Sequence, residues 1–117
     1  MISSITKEEI KRKIERGENF KLVDVRDTPD YETEHIKGAI HLLISEMREE
    51  KIAAMFSKND IIVTYSEDIN CPAKKIAAEK FLDYGFTNIY FYPGSWQEWK
   101  KSGLPTEKAE RHNKKDF

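Results

Sequence analysis

The chain has 117 residues, 38% hydrophobic and 35% charged, with a formal net charge of −1. That length suits one hydrophobic core and is too short for two, and the balanced charge provides no basic face for nucleic acid or an acidic membrane, so neither partner is expected. The longest apolar runs, such as Ile40 to Ile44 with His41 inside it, are too short to cross a bilayer, and the first residues lack the basic-then-apolar plan of a signal peptide; a cytoplasmic location is expected.

From Thr6, "TKEEIKRKIERG" has the spacing of a capping box, Thr6 with Glu9, and a helix follows with Ile10 and Ile14 on one face and Gly17 as its stop. "FKLVDV" is an apolar run suited to a buried strand. In "RDTPDYETEHI", Thr28 can cap and Pro29 can start a short helix. "AIHLL" reads as a second strand, and "SEMREEKIAAMF" as a helix capped by Ser45, with Met47, Ile52, Met55 and Phe56 turned inward. "DIIVTY" is the clearest strand, apolar on both faces as in a sheet covered by helices on both sides. A helix over 72–84 is expected to bury Ala73, Ile76, Ala77 and Phe81 and to end at Gly85. "NIYFY" is the last strand, and "GSWQEWKKSG" is a closing helix with Trp96 and Trp99 one turn apart, both expected in the core. The alternation predicts an α/β fold, a parallel sheet between helical layers with right-handed crossovers. One domain is expected over 1–105, with a polar tail over 106–117.

In such sheets the ligand site lies beyond the carboxyl ends of the strands, where a loop feeds a helix. "YSEDINCP" is that kind of loop, and it holds the only cysteine, Cys71. With no second cysteine an internal disulfide is impossible, which agrees with a reducing compartment. If Pro72 is the first helical residue, Cys71 is the N-cap, where free N–H groups and the helix dipole favour a thiolate. Glu67 and Asp68 oppose this with negative charge. Lys74 and Lys75 offset that charge in part, as long hydrated side chains. A small buried apolar residue at the helix start is the other reading of Cys71. Asp24 and Arg26 read as an ion pair, His35 as a hydrogen-bonding residue that fixes the "HIKGA" turn, and Gly94 after Pro93 as a turn beside the pocket. His41 and His112 have no partners nearby in sequence, no spacing resembles a zinc motif, and no metal is expected. Abundant Lys, Glu and Ile beside a single glutamine, Gln97, point to a thermophilic source.

"KLVDVRDTPDYETEHIKGAIHL", "IIVTYS" and "AAEKFLDYGFTNIYFYPGSWQEWKKSGLP" together resemble a rhodanese domain, in consistent order from Ser4 to Pro105. The resemblance implies a three-layer sandwich with a five-stranded, mostly parallel sheet flanked by helices. In active members it implies a cysteine that carries a persulfide, with no cofactor. The family's nucleophile directly follows the "VxY" strand, where this chain has Ser66, and the usual loop arginine is absent. A seryl oxygen cannot form a persulfide, so any sulfur relay runs through Cys71, the candidate catalytic residue. Ser66, Glu67, Asp68, Ile69 and Asn70 form the active-site loop, and Asp24, Arg26 and His35 support it. If the loop keeps the family's shape, Ser66 sits at the pocket floor where amides converge and Cys71 at the rim. The related strand-loop-helix plan of cysteine phosphatases needs an arginine where Ala77 stands, which sets that chemistry aside. Two functions follow. One is a sulfurtransferase taking sulfur from a small donor or a persulfide-carrying protein, as a monomer or homodimer. The other is a catalytically inactive module that binds a partner protein or small ligand in the same cleft.

Overall fold

Residues 2–109 are described by a computed structural model of the chain. Seven strands are present among them: β1 (Ile2–Ser4), β2 (Lys21–Asp24), β3 (His35–Ile36), β4 (Ile40–His41), β5 (Ile62–Tyr65), β6 (Ile89–Phe91) and β7 (Thr106–Glu107). Five of them form one sheet in the order β1-β6-β5-β2-β4, with every neighbouring pair parallel. The central strand β5 is buried along its length, and its side chains alternate between the two faces: Ile62 joins one core cluster, Val63 and Tyr65 the other. This is the pattern of a parallel strand covered on both sides.

The helices are α1 (Lys7–Glu15), α2 (Thr28–Thr33), α3 (Glu49–Met55), α4 (Ala73–Asp83) and α5 (Ser95–Lys101). Ile52 of α3 and Ala77, Ala78 and Phe81 of α4 pack with Val23, Ile62 and Ile89 on one face of the sheet. Ile10 of α1 and Trp99 of α5 pack with Leu22, Val63, Tyr65 and Tyr92 on the other. None of these helices is long and apolar enough to cross a membrane.

Local chemistry sets the boundaries. At α1 the Thr6 hydroxyl accepts from the Glu9 N–H at 3.1 Å, and Glu9 Oε1 accepts from the Thr6 N–H at 2.9 Å, which is the expected reciprocal cap. At the end of α4, Gly85 takes φ 94°, so that its N–H reaches the Leu82 carbonyl and the Phe86 N–H reaches that of Phe81. Only glycine adopts that left-handed position without penalty.

Several expected boundaries move. Asp27, not Thr28, is the cap position of α2, and its side chain makes no capping bond. The helix expected from Ser45 is broken in two: Ile44–Glu46 form a single 3₁₀ turn, closed by Glu46 Oε1 accepting from the Leu43 N–H at 3.2 Å, and α3 starts only after Arg48. Met55 is exposed rather than core. In α4 the buried stripe is Lys74, Ala77, Ala78 and Phe81, spaced i, i+3, i+4 and i+7, whereas Ile76 is 42% exposed. Past Pro105 the chain does not leave the fold at once. Thr106 and Glu107 of β7 pair antiparallel with Ile36 and His35 of β3.

Candidate active site

The site is built where β2, β5 and β6 release their chains at one edge of the sheet. Register places Asp24 beside Tyr65, and Thr64 beside Phe91, so Arg26, Ser66 and Gly94 emerge at adjacent turns. Arg26 is nearly buried and grips Asp24 through Nη2 to Oδ2 at 2.9 Å and Nε to Oδ2 at 3.1 Å. Asp24 Oδ2 also accepts from the Tyr65 hydroxyl, which in turn accepts from the Ile36 N–H at 3.1 Å. The Arg26 guanidinium lies over the Trp96 ring, 4.6 Å from its centroid, and its Nη2 donates to the Glu34 carbonyl at 2.7 Å. Asp24 and Arg26 therefore form the expected ion pair, extended into a tie between β2, β5, β3 and α5.

His35 is hydrogen-bonded as expected, but to α2 and not within the "HIKGA" turn, whose Ala39 carbonyl is held by the Tyr31 hydroxyl. The His35 Nδ1 is 2.7 Å from the Tyr31 carbonyl, and its ring stacks on Tyr31 at 3.8 Å, fixing the turn into β3. Tyr31 stacks on its other side against His41, whose Nε2 is 2.7 Å from the Arg26 carbonyl, so the histidine without a sequence neighbour has a partner in space. His112 lies outside the described residues.

The loop from Ser66 to Cys71 departs from expectation. Its centre is filled by Lys74, only 3% exposed, whose ammonium donates to the carbonyls of Cys71 at 2.6 Å, Asp68 at 2.9 Å and Ile69 at 3.5 Å, and lies 3.4 Å from Ser66 Oγ. Lys74 is thus neither hydrated nor long-reaching. It is the first residue of the inward stripe of α4, and among the described residues the groups its ammonium bonds all belong to the loop. Ser66, 1% exposed, lies at the floor of the cleft with the Cys71 carbonyl and the Lys74 ammonium, rather than converging amides, beside its hydroxyl.

Cys71 is not the N-cap. The Pro72 carbonyl accepts the first helical bond, from the Ile76 N–H at 3.1 Å, so Pro72 holds the cap position and Cys71 stands one residue outside it. The Cys71 N–H is satisfied by Asp68 Oδ1 at 3.0 Å, which accepts from the Asn70 N–H at the same distance. The thiol itself is partly exposed. Burial pushes it up, but the Ala73 N–H, the Ser66 hydroxyl, the Glu67 N–H and the Lys74 ammonium outweigh that and hold it below its ordinary value. The amide donors therefore favour charge at Cys71 rather than at residue 66.

Cys71 opens into a cleft of about 340 Å³ that it shares with Arg26, Asp27, Asp30, Ser66 and Glu67. Asp68 is not in this wall, its carboxylate being engaged with loop N–H groups; Asp27 and Asp30, from the start of α2, stand there with Glu67. Glu67 is itself held by Gln97 Nε2 at 2.8 Å and faces Arg26 Nη1 at 3.6 Å. Ile69 is 68% exposed at the loop's tip.

Three residues of this site were not legible as such in the sequence. Lys74 could have been found from the α4 stripe. Tyr65 could not, since its hydroxyl partners come from β2 and β3. Ser95 is the third: wholly buried at φ 60°, it accepts from the Ser66 N–H at 3.2 Å and donates to the Tyr92 carbonyl at 3.0 Å, anchoring the start of the loop to α5. Gly94 is turn-forming as expected. A β-carbon there would collide with the Glu98 side chain, whose carboxylate accepts from Tyr92.

Comparison with known proteins agrees with this fold. The sequence model described as "Rhodanese-like domain" matches residues 6–102. Two curated relatives are both named thiosulfate sulfurtransferase GlpE. The one from Vibrio cholerae is 28% identical over 86 residues, 74% of this chain and 77% of that protein. The one from Coxiella burnetii is 29% identical over 91 residues, 78% of this chain and 80% of that protein. Among solved structures, the BH2092 protein of Bacillus halodurans superposes with a TM-score of 0.85 at 28% identity, covering 91% of this chain and 77% of that one. With its parallel sheet, its strand-loop-helix at the carboxyl edge and a family match over residues 6–102, the chain belongs to the rhodanese-like domain family.

Proposed function

We propose that the protein is a sulfurtransferase that carries sulfane sulfur as a persulfide on Cys71. The observation that carries this reading is a partly exposed thiol at the mouth of a cleft, surrounded by two N–H groups, a hydroxyl and an ammonium that all favour its thiolate. The Cys71 thiolate attacks the outer sulfur of a persulfide R–S–SH, the S–S bond of the donor breaks, and the donor leaves as R–S⁻. Cys71 is then a persulfide, and an acceptor thiolate takes the outer sulfur by the same exchange, returning Cys71 to a thiolate with no net oxidation. Asp27, Asp30 and Glu67 on the cleft wall disfavour a doubly charged donor such as thiosulfate, although that ion appears in the names of the GlpE relatives. A neutral, zwitterionic or protein-bound persulfide suits the wall better.

The second reading, a non-catalytic module that binds a partner protein or small ligand in the same cleft, is favoured by Ser66, which stands where the family's nucleophile is expected. Treatment with cysteine persulfide followed by peptide mass spectrometry separates the two. The sulfurtransferase reading expects one added sulfur on the Cys71 peptide and none in Cys71→Ser. A folded protein that gains no sulfur supports the binding module.

A further inference from the structure

Lys74 lies on a helix that has no other reason to bury a cation. The α4 face it occupies continues as Ala77, Ala78 and Phe81, and burying an ammonium there is costly unless it is fully bonded. The loop supplies the bonds. Carbonyls of Asp68, Ile69 and Cys71 and the hydroxyl of Ser66 surround Nζ, while the Lys74 carbonyl accepts from Thr64 Oγ1 at 2.7 Å, so the backbone beneath it is fixed to β5 as well. The Cys71 carbonyl takes the shortest of these bonds, so the ammonium fixes the peptide unit that joins the cysteine to Pro72.

We propose that Lys74 is the positioning residue of the Cys71 site: its buried ammonium gathers the loop carbonyls, that of Cys71 among them, thereby fixing the cysteine's backbone at the cleft and placing a positive charge beside it. The inference rests on Cys71 being the reactive thiol, but not on what the thiol transfers. It accounts for an active-site loop that lacks an arginine: the cation comes from inside, from the helix that follows, and never meets the substrate. The other charges near the sulfur are Asp68 in the same loop, Glu67, Asp27 and Asp30 with Arg26 across the cleft, and Lys75 on α4. Of these cations, Arg26 is committed to Asp24 and Glu67, and Lys75 lies over the Phe91 ring, 5.1 Å from its centroid. Lys74 is the cation bonded to the loop's backbone carbonyls.

The test is the pH profile of Cys71 alkylation by iodoacetamide, a neutral reagent that works whether or not the protein transfers sulfur. Lys74→Met should raise the midpoint of the profile by about one pH unit or more, the effect of losing an adjacent opposite charge. Lys74→Gln, which keeps an N–H donor for the carbonyls and can fold where Met cannot, should raise it too. Asp68→Ala is the control for mere loosening. It removes the acceptor that pins the Asn70 and Cys71 N–H groups but leaves the ammonium in place, so its midpoint should stay at or below that of the wild type. An unchanged midpoint in Lys74→Gln overturns the proposal, as does a rise in Asp68→Ala equal to that in the Lys74 variants. If the midpoints behave as stated and no persulfide ever forms, the sulfurtransferase reading fails and the positioning role stands.

Discussion

Ser66 and Cys71 differ in what surrounds them as well as in chemistry. Ser66 lines the cleft but is packed between the Lys74 ammonium and the Cys71 carbonyl, the latter 3.3 Å from its hydroxyl, and only 1% of it is exposed, so a thiol placed there meets a reagent less readily than Cys71 does. In a Ser66→Cys, Cys71→Ser double variant the new thiol should alkylate more slowly than Cys71 does in the wild type, and mild urea should speed it by loosening the loop. Rapid labelling in the absence of urea would show that residue 66 is open. The lowered Cys71 thiol has a thermodynamic counterpart. An acidic group held below its unfolded value stabilises the fold at pH above the unfolded value of about 8.5, and that contribution is lost as pH falls through the folded value. The stability difference between wild type and Cys71→Ser, followed by urea denaturation, should therefore grow in favour of the wild type as pH rises toward that value, and it should flatten above it.

At the scale of elements, the joint between the loop and α5 depends on Ser95. Ser95→Ala removes both bonds of its hydroxyl and leaves the buried Ser66 N–H unpaired, a loss of about 1–3 kcal/mol measurable by urea denaturation. Ser95→Gly loses the same bonds but relieves the left-handed backbone of a side chain, worth about 1–2 kcal/mol, so it should be the less damaging change. The sequence was most readable where an element is decided by its own residues. Thr6 and Glu9 cap each other, "IIVTY" can only be an interior strand of a covered sheet, and Gly85 must end α4. It was least readable where a distant group decides. Glu46 folds back to close a 3₁₀ turn and so displaces the start of α3, and β7 exists only because β3 offers it a partner. Lys74 shows both sides: periodicity places it on the buried face of α4, but residue type argues against that placement, and only the loop's carbonyls resolve the conflict. The candidate thiol was legible as a residue. Its donors were not, because Ser66 and Glu67 are brought to the thiol only by the way the loop turns.

Across the whole molecule, the buried Asp24 and Arg26 pair joins β2 to Tyr65 and Glu67, to Trp96 of α5 and, through Glu34 and Tyr65, to the β3–β7 ribbon. Arg26→Met leaves the Asp24 carboxylate buried without its ionic partner and should cost about 3–5 kcal/mol. The ribbon has its own acid sensitivity. The Lys100 ammonium and the Thr106 hydroxyl hold the Glu34 carboxyl below its usual range. Those bonds should persist below the ordinary carboxylate range and be lost as pH falls through the lowered folded value, so the protection of the Lys37 N–H against hydrogen exchange, relative to a free amide at the same pH, should fall first; this N–H is bonded to the Pro105 carbonyl. The central claim, that one thiol outside the family's usual position carries the sulfur, is tested most directly by single-turnover transfer from cysteine persulfide to a thiol acceptor, comparing wild type, Cys71→Ser and Ser66→Ala. Transfer that disappears in Cys71→Ser and survives in Ser66→Ala is the predicted result, and transfer that survives the loss of Cys71 would contradict the account.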